Sequence, residues 1–140
     1  MLDSVRTLIL LCLILAFSVT VSACDSMGDA PVACPDVLTF AIEVEIRNAE
    51  TGAPEADNAT GRITDGDDVE TMEPAARIEY QGRPVLLSLR GAEERAGTYN
   101  VLIEKQGFEP WTRTGVEPEV GECGVETERL EAKLVPLRNS

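Results

Sequence analysis

The chain has 140 residues, which suits one ordinary domain and is too short for a two-domain enzyme. Its 25 acidic and 12 basic residues give a net charge of −13, so nucleic acids and anionic lipid headgroups would be repelled and are not expected as partners. Because the sequence contains no histidine, it lacks the usual general base of hydrolases and the commonest zinc ligand.

The chain begins with a segment typical of exported proteins. Residues 7–24 carry no charge, and residues 8–17 (LILLCLILAF) are almost entirely apolar, as in a signal peptide. The sequence Val-Ser-Ala-Cys that ends at Cys24 resembles the lipobox of bacterial lipoproteins, in which the cysteine is acylated and becomes the amino terminus. We therefore predict a lipoprotein signal peptide over residues 1–23 and anchorage of the exported protein to a bacterial cell-envelope membrane through a lipid on Cys24. An uncleaved membrane anchor and cleavage at the same site without acylation are the alternatives.

The four cysteines have different expected fates. Cys12 would leave with the signal peptide and Cys24 would be acylated, so Cys34 and Cys123 would remain in an oxidising compartment. We predict a disulfide between these two, which would close a loop of about 90 residues and contribute about 4 to 5 kcal/mol in the chain-entropy model. Two separate thiols are the alternative. The spacing of the pair does not suit a zinc or redox site.

The first elements after the signal peptide are a tether and a strand. Residues 24–35 are small, polar and proline-containing, which predicts a flexible tether ahead of a single domain over residues 36–137. From Phe40 to Arg47 apolar and polar residues alternate, and this pattern predicts a strand with one solvated face and one buried face, the latter formed by Phe40, Ile42, Val44 and Ile46.

Short elements follow in the middle of the domain. The Asp65-Gly66 dipeptide tolerates positive φ and therefore favours a hairpin connection. In chain order, the predicted elements are a turn over residues 48–58, hairpin strands over 61–64 and 69–72, strands over 77–80 and 85–89, and a helical turn over 91–95.

The clearest alternation lies in the second half of the chain. Residues 97–105 predict a central strand, with Tyr99 and Ile103 on the buried face. Further strands are predicted over residues 111–116 and 125–134, and a change in the apolar phase of the latter indicates a bulge. About seven short strands without an amphipathic helix predict an all-β chain folded as a single Ig-like antiparallel β-sandwich.

Part of this region resembles a known family. Residues 97–103 (GTYNVLI), followed by Gly107 and Phe108, resemble the G-x-Y-x-V-x-V…G-[YF] strand and turn of carboxypeptidase regulatory-like domains, which are transthyretin-like sandwiches. A T-G-x-P turn at residues 51–54 and the last strand (VETERLEAKL) also resemble small bacterial members of that group. The resemblance implies a non-catalytic envelope module with a carbohydrate-binding-like fold, and it assigns no catalytic residues.

Four carboxylates crowd around the predicted hairpin: Asp65, Asp67, Asp68 and Glu70. Calcium takes such oxygen ligands, but Val69 and Glu70 occupy positions that an EF-hand loop reserves for a ligand and for glycine. We interpret the cluster as a solvated hairpin tip and predict no metal site and no cofactor. A glycosidase would need two carboxylates flanking a sugar-sized cleft, for which a short sandwich leaves little chain, so no catalytic residue is predicted.

The aromatic residues are the remaining candidates for a binding site. Trp111 begins a predicted strand after a loop, where its ring could cap the core or form, with Tyr80, a platform for a sugar ring. We favour capping, because a lone tryptophan contributes most as buried area.

These patterns together predict the class of function. We expect a non-enzymatic, lipid-anchored module of the bacterial cell envelope that presents a structural or protein-interaction surface. Its expected partners are the membrane, through the lipid on Cys24, and an envelope protein. The alternative is a carbohydrate-binding module on the same fold.

Overall fold

The computed structural model of the protein describes residues 32–138. The predicted signal peptide, the lipid-attachment residue Cys24 and most of the predicted tether lie outside these residues. The described chain is all-β, as predicted, although it has twelve strands rather than about seven. No segment within residues 32–138 forms a helix that could cross a membrane.

The twelve strands form two larger sheets and two hairpins. In chain order they are β1 (Phe40–Asn48), β2 (Thr60–Asp65), β3 (Asp68–Thr71), β4 (Glu73–Pro74), β5 (Arg77–Tyr80), β6 (Arg83–Leu86), β7 (Ser88–Glu93), β8 (Tyr99–Glu104), β9 (Trp111–Val116), β10 (Val120–Gly121), β11 (Gly124–Val125) and β12 (Glu128–Leu134). The four-stranded sheets have the orders β12-β1-β7-β4 and β3-β2-β8-β9, whereas β5-β6 and β10-β11 are two-stranded.

The first sheet is built around β1, the strand predicted from the first alternating segment. Ile42, Val44 and Ile46 have no exposed surface, because alternate residues of a strand point to one face of the sheet. Strand β1 pairs antiparallel with β7 and parallel with β12. The first and last of the strands therefore lie side by side, and this parallel pair is an exception to the predicted antiparallel arrangement.

The second sheet contains the predicted central strand, β8, between β2 and β9. Tyr99, Val101 and Ile103 are buried on its inner face, as the alternation predicts. The predicted hairpin joins β2 to β3 through a turn in which Gly66 has a φ of 58°, a value that glycine adopts without steric cost. Both strongly patterned segments of the sequence thus occupy inner positions, one in each sheet.

Two glycines allow the sheets to approach each other closely. A Cβ atom at Gly91 on β7 would lie 2.6 Å from Cδ1 of Ile63 on β2. A Cβ atom at Gly61 on β2 would lie 3.0 Å from Cδ1 of Leu89 on β7. Each glycine therefore faces a large side chain of the opposite sheet, and small and large residues interdigitate across one core.

Three local predictions are wrong. The predicted helical turn over residues 91–95 is strand as far as Glu93, because this backbone pairs with β1. The predicted bulge in the last segment is a break between β11 and β12, and β12 itself keeps a regular register with β1. Phe40 is in phase with the core residues of β1, but its ring is only half-buried and lies 4.0 Å from the Arg90 guanidinium carbon.

The structure pairs Cys34 with Cys123, as the cysteine count predicts. Their Cα atoms lie 5.2 Å apart, within the range that a disulfide spans. Cys34 precedes β1, and Cys123 lies in the turn between β10 and β11. The bond therefore attaches the end of the predicted tether to the β10-β11 hairpin.

Candidate interaction surface

The outer face of the β3-β2-β8-β9 sheet carries polar and apolar side chains in cross-strand rows. In one row Thr64 lies opposite both Val69 and Asn100, and in the next Leu102 lies opposite Arg62 and Thr112. We call the outward side chains of this sheet the open face, namely Arg62, Thr64, Val69, Thr71, Asn100, Leu102, Thr112 and Thr114. All of them are exposed or half-buried.

A groove with a volume of about 310 Å³ lies on the open face. Val69 on its wall is 63% exposed, and Leu102 provides a half-buried apolar floor. The hydroxyl groups of Thr112 and Thr114 line the same groove and make no hydrogen bond to another atom of residues 32–138. The groove therefore offers an apolar centre with hydroxyl groups that are free to bind a partner.

The charge of the open face differs from that of the whole chain. Arg62 on this face forms an ion pair with Glu104, which lies on the same side of β8 as Leu102, with 3.0 Å between Nη2 and Oε2. The carboxylates of Asp65 and Asp68 do not line this groove; they line a separate cavity with Glu70, Arg95 and Tyr99. The chain as a whole carries −13, so the balanced charges of Arg62 and Glu104 on this face contrast with a strongly acidic domain.

A bulge in β9 fixes the orientation of Asn100. The register of β8 against β9 shifts between Tyr99 and Val101, and Gly115 has a φ of 68°, in the left-handed region that favours glycine. The Gly115 N–H donates to Oδ1 of Asn100 at 3.2 Å. The amide nitrogen of Asn100 is thereby left on the open face as a donor.

Three of the hairpin carboxylate residues, Asp65, Asp68 and Glu70, line one cavity of about 310 Å³ together with Arg95 and Tyr99. Glu70 lies on the inner side of β3, where its Oε1 accepts a 2.8 Å hydrogen bond from the Ala92 N–H and its Oε2 pairs with Arg95. Within the described range, no three histidine, cysteine, aspartate or glutamate residues are grouped so as to hold a metal ion. Both carboxylate oxygens of Glu70 are therefore used to support the β7-β8 connection.

Tyr99, which the alternation of the sequence predicts only as a core residue, completes this support. Its hydroxyl donates to the Arg95 carbonyl oxygen at 2.7 Å, so one buried ring is fixed to the loop four residues upstream. Burial raises the pKa of the Tyr99 phenol; Arg95 acts against that shift, and Asp65 and Glu70 act with it. Glu70, Arg95 and Tyr99 thus hold the connection in which Ala92 and Glu94 have positive φ.

A second cavity, of about 260 Å³, lies over β1, β7 and β12. Ser88 in this cavity is buried, and its hydroxyl donates to Oε1 of Glu43 at 2.6 Å while accepting a hydrogen bond from the Ala76 N–H at 3.0 Å. Both hydrogen-bonding roles of the hydroxyl are therefore used within the protein. The arrangement ties β1 to β7 and to the segment before β5.

The two aromatic residues of the predicted ligand platform lie in different sheets. Trp111 begins β9, pairs with Ile103 and packs half-buried against the core. Tyr80 ends β5 in the β5-β6 hairpin and is 36% exposed. The packing of Trp111 agrees with the capping role favoured from the sequence.

The substitution Trp111→Ala distinguishes a capping role from a platform. We expect it to lower the free energy of unfolding by about 3 kcal/mol or more, because a large ring would leave a void at the core boundary. Tyr80→Ala is the control, with an expected loss below about 1 kcal/mol at this exposed site. Chemical denaturation measures both. Unchanged stability of Trp111→Ala together with lost polysaccharide binding would instead support the carbohydrate-binding alternative.

Comparison with models of known protein families gives no match to this chain, and none of the curated proteins searched matches it.

Proposed function

We propose that this protein is a non-catalytic, lipid-anchored module of the bacterial cell envelope that binds a partner protein through the open face. The observation that carries the proposal is the groove on that face, where Val69 and Leu102 lie among unbonded hydroxyl groups on an otherwise strongly acidic domain. Residues of this kind suit binding and not catalysis, because they supply apolar contact area and hydrogen bonds to a partner.

The lipid anchor is proposed from the sequence and supported by the cysteines. An apolar signal-like segment precedes Cys24, and the domain pairs Cys34 with Cys123, as expected of a protein that folds in an oxidising compartment. More than one acyl chain on Cys24 would hold the protein firmly, since each buried methylene contributes about 0.8 kcal/mol. The acidic domain itself would then need no contact with the membrane.

The chemistry of the open face indicates what kind of partner surface would fit. The centre of the partner surface should be apolar with hydrogen-bonding groups, to match Leu102, Val69 and the threonine hydroxyls. Its border should carry lysine or arginine, because the chain that surrounds the groove has a net charge of −13. Such charges would speed association and weaken it at high salt.

We propose a non-catalytic role because the candidate nucleophiles, the serine and threonine hydroxyl groups, lack an activating histidine. The chain has no histidine to activate a hydroxyl group. The buried hydroxyl of Ser88 is bonded to Glu43 and Ala76, so it serves the packing of the first sheet. The threonine hydroxyls on the open face suit binding, because they supply hydrogen-bond donors and acceptors.

Two matched valine variants test the open face. Val69 is 63% exposed on β3 and Val120 is 67% exposed on β10, so arginine at either site should be tolerated by the fold. Proteins recovered with the full chain from its own envelope after cross-linking would be identified by mass spectrometry. We expect Val69→Arg to lose a specific partner by adding bulk and positive charge to the groove, and Val120→Arg to retain it. Equal recovery with both variants would contradict the proposed surface.

The variant Cys24→Ala tests the anchor separately. We expect it to lose acylation and to leave the precursor uncleaved, which mass spectrometry and gel mobility would both report. A Cys24→Ala protein with unchanged mobility and unchanged membrane retention would contradict the lipid anchor and favour an uncleaved anchor. That outcome would leave the result for Val69→Arg intact, so the two halves of the proposal can fail independently.

A further inference from the structure

The β5-β6 hairpin is a two-stranded ribbon outside both larger sheets. Gln81 and Gly82 form its turn with φ values of 51° and 75°, the positive pair that a two-residue type I′ turn requires. All residues from Glu79 to Pro84 are exposed. The ribbon continues the pairing of β4 with β7, since the Leu87 N–H donates to the Ala76 carbonyl oxygen at 2.8 Å. Exposed strand edges are usually protected against pairing with another chain, so each edge of the ribbon needs an explanation.

The outer edge of β6 is protected. A two-residue turn makes Tyr80 and Arg83 a hydrogen-bonded pair, so Pro84 and Leu86 direct their backbone groups away from β5. Pro84 has no N–H to offer. The Leu86 N–H donates to Oδ2 of Asp57 at 3.2 Å. Both places where another strand could accept a hydrogen bond from β6 are therefore closed.

The outer edge of β5 has no such protection. By the same alternation, Ile78 bonds to Val85 across the hairpin, and Arg77 and Glu79 direct their N–H and C=O groups outward. In the described chain, no backbone hydrogen bond outside the β5-β6 ladder involves these groups. Arg77 and Glu79 thus present two free backbone N–H groups and two free backbone C=O groups along the outer edge of β5.

The side chains on this edge are also unpaired. Seven lysine and arginine residues form ion pairs among residues 32–138, but Arg77 is not one of them, and neither Glu79 nor Arg83 has an ion-pair partner there. Arg77 and Glu79 flank the half-buried Ile78 at equal distance along the strand. A strand with this order of charges is complementary to an antiparallel copy of itself.

We propose that two copies of this chain pair through their β5 edges, antiparallel, with the two Ile78 residues facing each other at the twofold axis. In this register Arg77 lies opposite Glu79 of the second copy, and Glu79 lies opposite its Arg77. The outward backbone groups of these residues then form the hydrogen-bonded pairs that an antiparallel ladder requires, and the two hairpins become one four-stranded ribbon.

The expected dimer is weak. The ribbon contact is small, and each copy carries a net charge of −13, so the two domains repel each other. Covalent trapping is therefore the suitable measurement. Directly opposed residues in the non-hydrogen-bonded position have Cα atoms roughly 4.5 Å apart, which a disulfide can bridge.

The test is a disulfide trap at the axis. The full chain carrying Ile78→Cys, exported and treated with a mild oxidation catalyst in its membrane fraction, should migrate as a covalent dimer on a non-reducing gel. Val85→Cys is the matched control, because Val85 is equally half-buried but would lie roughly 14 Å from its counterpart across three strand spacings. The unsubstituted chain measures background from Cys12 and Cys24. Cross-linking of Ile78→Cys no greater than that of Val85→Cys would overturn the proposal.

Charge reversal then tests the register. On the Ile78→Cys background, Arg77→Glu places like charges opposite each other and should reduce the trapped dimer by roughly tenfold. Adding Glu79→Arg restores both opposite pairs and should restore the dimer. If the double variant stays monomeric while its Cys34–Cys123 bond still forms, the proposed pairing is wrong.

A proline variant tests the backbone pairing. Glu79→Pro removes one outward N–H group, as Pro84 does on the other edge, without removing a bond inside the hairpin. It should abolish the trapped dimer in a chain that still resists proteolysis. An undiminished dimer with Glu79→Pro would exclude pairing through this edge.

Discussion

Removal of the Cys34–Cys123 bond is expected to lower the free energy of unfolding by about 4 to 5 kcal/mol. The bond joins residues separated by 89 positions, and it therefore restricts most of the unfolded domain. The loss would be a large share of the stability of a small domain. The double variant Cys34→Ser/Cys123→Ser, compared with the unsubstituted chain by urea denaturation, measures it.

Reduction of the unsubstituted chain is the control for this variant. It removes the same covalent link without changing a residue, so both forms should unfold at nearly the same urea concentration. Intact-mass analysis before reduction should show a deficit of two hydrogens and blocked thiols at Cys34 and Cys123. If both cysteines alkylate readily without reductant, the bond is absent and packing must supply the stability assigned to it.

Truncation of Ile103 is expected to destabilise the domain by about 2 to 5 kcal/mol, because the substitution loses burial and leaves a cavity. Ile103 has no exposed surface and lies on β8 between Gly61 of β2 and Trp111 of β9. Neither neighbour can fill the space easily, since Gly61 has no side chain and Trp111 is held against the core. Urea denaturation of Ile103→Ala measures the loss.

Leu102→Ala is the matched control for Ile103→Ala. It removes the same number of carbon atoms from the adjacent residue of β8, but on the open face, where Leu102 is half-buried. Its expected cost is well below that of Ile103→Ala. Equal losses of unfolding free energy from the two substitutions would contradict the structure, in which Ile103 is buried on the inner face of this sheet and Leu102 is half-buried on the outer face.

Local pattern was sufficient for the elements whose two faces differ strongly in environment. Strands β1 and β8 follow from alternation because their buried residues, such as Ile42 and Val101, are apolar and their neighbours are polar. The β2-β3 hairpin follows from Asp65-Gly66, since positive φ at the turn is a local property of glycine. The Cys34–Cys123 pairing follows from counting, because only these two cysteines remain once Cys12 is assigned to the predicted signal peptide and Cys24 to the predicted lipid.

Local pattern failed where a distant partner decides the conformation. Residues 91–93 are strand because β1 supplies backbone partners, and Gly91 is required there by Ile63 of the other sheet. The support of the β7-β8 connection depends on Glu70, which is distant from Arg95 in the sequence but adjacent in space. The secondary-structure propensity of a short segment of sequence carries no information about these long-range contacts.

The candidate surfaces show the same division. The amino-acid sequence alone was enough to predict the all-β domain and its alternating buried and solvated faces, because these depend on a repeat of two residues. Export and lipid attachment at Cys24 stay predictions from the sequence. The sequence does not contain the order of strands in each sheet. Only the tertiary structure groups Val69, Leu102 and Thr112 on one face, and leaves Arg77 and Glu79 on an unpaired edge, because hydrogen bonding between distant strands decides which faces and edges remain free.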